Sequence, residues 1–345
     1  MINVLWIDDL GSHTDNEDYF EDVAEDYGIK IVNVPTVDDG MRLIDDNSMI
    51  FDAMILDINC YLHDKDREVP QSTALNYAIQ EICKRKIYRK IPYFIYSAMD
   101  AEGIKVVNIV VPEINPWDNR KLYHKPKDSR DLFEAIKTAV AKQENYQLRE
   151  HYRRAFGIIS DVELLNVIKN SKNSDFDTDH EFLWKCRKCM EQVVYFLNKN
   201  GLIDLEYASE VVDMPGSSNH VKVCSEFFNL EDKAKKFIPT HIKRLFFLFS
   251  SCANESSHSH RDCHREPSEF KTPNLIESNK APYLNQTCFY GLLTILGWVK
   301  GIMAKIKNDS EYLTKWQQHF NSLAEEQKKK SANPTPRHRY RNPKQ

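Results

Sequence analysis

Ala53-Met54-Ile55-Leu56-Asp57-Ile58 is apolar without a break up to a single carboxylate. A strand buried on both faces reads this way, because neither alternating set of side chains meets water. The same form appears at residues 2–9, where Ile2-Asn3-Val4-Leu5-Trp6-Ile7 stops abruptly at Asp8-Asp9. Ile29–Val34 and Tyr93–Tyr96 are two further short strands, and Lys121–His124 is a fifth that ends in Lys125-Pro126. Helical periodicity fills the gaps. Phe20, Val23, Ala24 and Tyr27 recur over 16–27, Met41, Leu43 and Ile44 over Val37–Asp45, Leu75, Ala78, Ile79 and Ile82 over Thr73–Lys84, and a closing helix covers Leu132–Val140. Strands alternating with helices predict an α/β domain, a doubly wound five-stranded parallel sheet with helices on both sides.

The chain has 345 residues, too many for one ordinary core and suited to two domains. A hydrophobic share of 41% is enough to bury real cores, and only 10 Gly disfavour a turn-rich β-sandwich. A net charge of −4 gives no global argument for nucleic acid. Basic charge collects at the end instead, where Lys328, Lys329, Lys330, Arg337, Arg339, Arg341 and Lys344 share eighteen residues with no acid. The first residues lack a basic region and are too short for a signal peptide, and no stretch reads as a membrane span of ~18 apolar residues. Eight Cys without framework spacing fit reduced thiols in a cytoplasmic protein.

The pattern changes after residue 143. Domain boundaries are expected at 1–143 for the sheet domain, 144–326 for an all-α bundle and 327–345 for a basic disordered tail. Helices are expected over Leu148–Phe156 and Asp161–Ile168. Another runs from a Thr178-x-x-Glu181 capping box to Asn200, with Gly201 as its terminator. Residues 202–236 are ambiguous. Pro239 and Pro282 each open a helix, the second being the most apolar, and a last amphipathic helix covers about 311–326. Residues 254–281 read as a long polar loop.

In an open parallel sheet, chemistry gathers at the carboxyl ends of the strands. Asp8, Asp9, Asp57, Ser97 and Lys125 all fall at such ends. Carboxylates brought close together repel unless a hard cation sits among them, and Mg²⁺ does so while keeping water positions open for phosphate. Asp57 is then the nucleophile toward phosphorus. The metal and Lys125 neutralise the transferring oxygens, and the Ser97 hydroxyl is placed to bond one of them.

These motifs resemble response-regulator receiver domains over residues 2–140. Their carriers are Val4-Leu5-Trp6-Ile7-Asp8-Asp9, Ala53-Met54-Ile55-Leu56-Asp57-Ile58, Tyr96-Ser97-Ala98 and His124-Lys125-Pro126. The resemblance implies a flavodoxin-like fold and a two-component phosphorelay. Asp8 and Asp9 bind Mg²⁺, Asp57 accepts phosphate from a sensor histidine kinase or phosphotransfer protein, and Asn59 offers a main-chain carbonyl to the metal. Ser97 and Lys125 contact the phosphoryl group. The chain departs from the family in a longer, more charged segment at Cys60–Gln71 and a longer stretch between Ser97 and Lys125. The family's aromatic switch position, three before the lysine, is Leu122 here, with Tyr123 next to it.

The helical half is similar, more weakly, to HEPN-type bundles through Arg187-Lys188-Cys189-Met190-Glu191, Asn254-Glu255-Ser256-Ser257-His258 and the apolar helix Cys288–Met303. The resemblance implies a homodimer and, in many members, RNA cleavage by an Arg, a polar residue and a His. Asn254 and His258 fit the latter two, but Ala253 stands where the Arg belongs. The output is therefore read as an interaction or dimerisation module, with an RNA-cleaving effector restrained by the receiver as the alternative. No helix-turn-helix signature points to DNA. Cys186-x-x-Cys189 and the cluster His258, His260, Cys263 and His264 have zinc-compatible residue types, but the two cysteines lie on an apolar stripe, which favours a core role. The basic tail reads as a solubilising end, with an acidic partner or nucleic acid as the other option.

Overall fold

The structure is a computed structural model. It describes residues 1–9, 14–46, 49–63, 73–84, 91–98, 117, 122–179, 181–231, 237–257 and 283–332, with only the main chain at 14–19, 252–257 and 331–332. The chain divides into two compact units, Met1–His151 and Tyr152–Gln345.

Among the described residues the first unit holds five parallel strands, β1 (Ile2–Ile7), β2 (Ile29–Val34), β3 (Ala53–Leu56), β4 (Tyr93–Ser97) and β5 (Tyr123–His124), in the order β2-β1-β3-β4-β5. Between them run α1 (Thr14–Asp26), α2 (Val37–Asp45) and α3 (Ala74–Lys84), followed by α4 (Ser129–Ala141) and α5 (Glu144–His151). Pleating sends alternate side chains to opposite faces, and each face has its own core. Leu5, Ile7, Met54, Leu56 and Ile95 pack with Met41, Ile44, Leu75 and Ala78 on one side. Val4, Trp6, Ile55, Phe94 and Tyr96 pack with Phe20, Ala24, Phe133 and Ile136 on the other. Each such Leu, Ile or Phe contributes roughly 1.5–3 kcal/mol by leaving water, so both faces of the sheet need their helices. Gly40 permits one close approach. A Cβ there would lie 2.6 Å from Ile7 Cδ1, so α2 rests on β1 where the helix has no side chain.

The break expected after residue 143 falls after His151. α5 stays with the sheet because Arg149 Nη2 donates to Asp52 Oδ2 at 2.6 Å, and both side chains are buried. The same Asp52 oxygen accepts from the Asn3 N–H at 2.9 Å, which ties the pair to the amino end of β1.

Among the described residues the second unit is helical: α6 (Asp161–Asn170), a 3₁₀ turn (Phe176–Thr178), α7 (Glu181–Lys199), α8 (Leu205–Val211), α9 (His220–Asn229), α10 (Thr240–Ser257), α11 (Leu284–Asn308) and α12 (Tyr312–Ala332). Gly201 terminates α7 as expected, with φ +71°, a conformation that costs a side-chain-bearing residue free energy. The start of α7 differs from the sequence reading. The Thr178 hydroxyl turns back to the Asp175 carbonyl, and Asp179 Oδ1 accepts the Glu181 N–H at 2.9 Å instead. The ambiguous 202–236 stretch contains α8 and α9, each capped by a side chain, Asp204 and Asn219. α12 runs on through Lys328–Lys330, so part of the expected tail is helix and 333–345 lie outside the described residues.

α11 also corrects an expectation, since by length and composition it is apolar enough to cross a membrane. Its Cys288, Phe289, Leu292, Leu296 and Val299 are buried within the unit, and its last turn carries Lys305 and Lys307. Of its most apolar window, 44% is buried within the unit. Cys186 and Cys189 are likewise buried on α7 and serve as core residues. The cluster His258, His260, Cys263 and His264 lies outside the described residues.

Candidate functional site

The strand order reverses between β1 and β3, and that is where ligand crevices form in open parallel sheets. Ile7 is in register with Leu56, so Asp8 and Asp57 emerge side by side, and the Asp57 N–H donates to the Ile7 carbonyl at 3.0 Å. Leu56 pairs with Ile95 and Ser97 pairs with His124, which extends the same edge across β4 and β5 to Lys125. The parallel register alone thus brings residues 8, 57, 97 and 125 to one rim.

The side chains close on each other. Carboxylate oxygens of Asp8, Asp9 and Asp57 all lie within 4.8 Å of one another. Asp8 is 6% exposed and Asp57 5%. Lys125 Nζ bridges two of them, 2.5 Å from Asp8 Oδ2 and 2.8 Å from Asp57 Oδ2. The second Asp57 oxygen, Oδ1, accepts the Ile58 N–H at 2.6 Å, which fixes the plane of the carboxylate. The Lys125 arm passes near two aromatic rings, with Nζ 5.4 Å from the centre of Trp6 and 5.7 Å from that of Tyr96.

Burial pushes the Asp8 carboxyl up to about 8, because desolvation and the neighbouring Asp57 outweigh the attraction of Lys125. Burial also raises Asp9. Burial works against the Lys125 ammonium, but Asp57 and Asp8 outweigh it and hold its pKa above the usual lysine value. The site therefore sets three close carboxyl groups against one lysine, a deficit of positive charge whenever they ionise. A hard divalent cation with oxygen ligands relieves such a deficit, and Asp8, Asp9 and Asp57 could hold one. Asn59 follows two residues after Asp57 in a half-buried position.

Ser97 closes β4 and is buried, and its carbonyl accepts the Lys125 N–H at 3.0 Å. Leu122 is half-buried against the α2–α3 side of the sheet, whereas Tyr123 is buried on the other side and meets Phe94 edge-on at 6.4 Å. Neither residue presents an exposed aromatic ring. Most of the longer stretch between Ser97 and Lys125, and of the charged segment after Asp57, lies outside the described residues.

One contact had no signal in the sequence. The Tyr96 hydroxyl lies 2.6 Å from Ser129 Oγ, beneath the lysine. In the second unit Asn254 lies on α10 with only its main chain described, and His258 is outside the described residues. Exposed aromatic side chains stand out there: Trp184 and Tyr195 on α7, Phe247 on α10 and Tyr290 on α11. Compared with known proteins, the chain matches no family model, no curated protein and no solved structure.

Proposed function

We propose that the first unit is a phosphoacceptor receiver domain of the two-component type and that Asp57 is its phosphorylation site. The observation that carries this reading is the bridge of Lys125 Nζ between Asp8 and Asp57 at the strand-order reversal, with Asp9 completing the carboxylate set.

Asp57 is the nucleophile. One of its carboxylate oxygens forms a bond to phosphorus while the bond from phosphorus to the donor nitrogen or oxygen breaks, and the donor leaves with that electron pair. Lys125 already holds its ammonium at the Asp57 oxygen and meets the negative charge of the phosphoryl oxygens. The Ile58 N–H keeps the carboxylate oriented throughout. Asp8, Asp9 and Asp57, with the Asn59 main-chain oxygen, would hold Mg²⁺, which supplies charge neutralisation on the phosphoryl oxygens. Asp57 has the burial expected of a group shielded from competing water. A sensor histidine kinase or a phosphotransfer protein is the donor this chemistry suits.

The helical unit is the output, and it acts through contacts with a partner or a second copy. The support is the set of exposed rings at Trp184, Tyr195, Phe247 and Tyr290, since aromatic side chains are enriched at interfaces.

Beryllofluoride with Mg²⁺ mimics an aspartyl phosphate and tests the site in the full chain. The Trp6 indole lies 5.4 Å from Lys125 Nζ, so tryptophan emission should change in the wild type and stay constant in Asp57→Asn. An unchanged wild type would argue against the reading.

A further inference from the structure

The lysine that bridges the acidic site sits in a turn of a few residues, and a lysine side chain carries ~2 kcal/mol of rotamer entropy that disfavours one fixed position. Its Nζ is nevertheless held by two carboxylates, so the main chain beneath it must be well anchored. Most of the turn's bonds are internal. The His124 N–H donates to Asp128 Oδ2 at 2.9 Å, the Asp128 N–H to the His124 carbonyl at 2.9 Å, and the Ser129 N–H to the Pro126 carbonyl at 3.3 Å. Two anchors to the sheet come from β4. One is the Ser97 carbonyl, which accepts the Lys125 N–H. The other is the Tyr96 hydroxyl.

The direction of that second anchor follows from counting protons. Ser129 has one hydroxyl proton, and it is donated to the Pro126 carbonyl at 2.7 Å. The Ser129 oxygen must then accept at 2.6 Å from Tyr96, whose O–H is the donor. The result is a directed chain from the Tyr96 O–H through the Ser129 O–H to the carbonyl of the residue that follows Lys125. Tyr96 is itself rigid. It is 2% exposed, stacked on Phe20 at 5.0 Å and in contact with Trp6 at 6.2 Å. Burial raises its phenol pKa, so it remains a donor at neutral pH. Its ring also lies beside the ammonium it helps to place.

We propose that Tyr96 is the positioning residue for Lys125, acting through Ser129. The inference rests on Asp57 being the phosphoacceptor. Ser97, the residue placed to bond the phosphoryl group, is the next residue on the same strand. One strand end therefore carries both the phosphate-facing hydroxyl and the anchor of the lysine turn. This couples the phosphoryl site to the start of α4 through buried hydroxyls, in a chain where Leu122 precedes β5 and Tyr123 in it is buried, so neither offers a surface aromatic.

The test uses the full-length chain, acetyl phosphate and Mg²⁺, with the rate of phosphoryl incorporation followed over donor concentration. Tyr96→Phe removes only the hydroxyl, and Ser129→Ala breaks the chain one atom further on. Misplacing a catalytic group by about 1 Å costs up to roughly a hundredfold. The expected result is a tenfold to hundredfold fall (order of magnitude) in the saturated rate for both variants. The half-saturating donor concentration should stay near the wild-type value, and Ser129→Thr, which keeps the hydroxyl, should retain the wild-type rate. A purely structural role would not separate Ser129→Thr from Ser129→Ala in this way. If the wild type is labelled and both Tyr96→Phe and Ser129→Ala keep its saturated rate, the inference is overturned while the receiver reading stands. Equal slowing by Ser129→Thr and Ser129→Ala also overturns it. An unlabelled wild type overturns the receiver reading and this inference with it.

Discussion

Replacing Lys125 by Ala removes the cation between two buried carboxylates and leaves its cavity in place. In the wild type its Nζ is 2.5 Å from Asp8 Oδ2 and 2.8 Å from Asp57 Oδ2, and both acids are at least nine-tenths buried. Two like charges at ~4 Å repel by ~4 kcal/mol at an effective dielectric constant of ~20. Removing one member of a buried pair costs ~3–5 kcal/mol for the charge left behind. The first unit should therefore lose ~3–5 kcal/mol in EDTA at pH 8, a melting shift of roughly 6–20 °C at ~2–4 °C per kcal/mol. The sign of the pH dependence follows from Asp8. Its pKa in the folded state is raised by burial to about 8, above its ordinary value of 3.8, so its contribution to stability is full below the ordinary value and is lost as pH rises through 8. The deficit in Lys125→Ala should accordingly be smaller below pH 8, where Asp8 already carries a proton, than above it. Mg²⁺ should stabilise the variant more than the wild type, because it replaces the missing charge. Urea denaturation followed by hydrogen exchange in the β1 and β3 peptides reports on this unit alone. A variant within ~1 kcal/mol of the wild type in EDTA at pH 8, less than the ~3–5 kcal/mol expected of a broken buried pair, would refute the reasoning. So would a Mg²⁺ response no larger than that of the wild type.

Two further outcomes follow from buried groups elsewhere. Burial raises the pKa of the Cys60, Cys186, Cys189 and Cys224 thiols, whereas Cys83 is exposed on α3, so brief iodoacetamide treatment of the native protein at pH 8 should label Cys83 and spare those four by peptide mass mapping. Labelling of Cys186 or Cys189 at the Cys83 rate would contradict their place in the core. Arg149→Met should destabilise the first unit by ~3–5 kcal/mol by stranding Asp52, and adding Asp52→Asn should recover much of that loss. Chemical denaturation of the two variants checks this, and simple additivity of the two substitutions would argue against the pairing.

The sequence showed the sheet unit well because its central strands are apolar runs, and β1, β3, β4 and β5 each stop at a polar side chain, Asp8, Asp57, Ser97 or Lys125. Asp8, Asp9, Asp57, Ser97 and Lys125 follow from that punctuation together with parallel register. Asp52 and Arg149 do not, since they are separated by 97 positions and no local pattern links them. The Tyr96–Ser129 bond is hidden for a related reason, because a tyrosine in a buried strand reads as core and nothing in its spacing reveals what its hydroxyl meets. At the start of α7, Thr178 and Glu181 have capping-box spacing, yet the preceding 3₁₀ turn takes the Thr178 hydroxyl and leaves Asp179 to cap. α8 was illegible because a helix of seven residues makes only about two turns, too few for an apolar stripe to stand out.

The central claim is tested most directly by incubating the full-length protein with acetyl phosphate and Mg²⁺ and locating the phosphoryl group by borohydride trapping and peptide mass spectrometry. The account predicts one phosphoryl group per chain, on Asp57, dependent on Mg²⁺ and absent from Asp57→Asn. Equal incorporation in Asp57→Asn, or none in the wild type with either acetyl phosphate or a phosphorylated histidine donor, would contradict it.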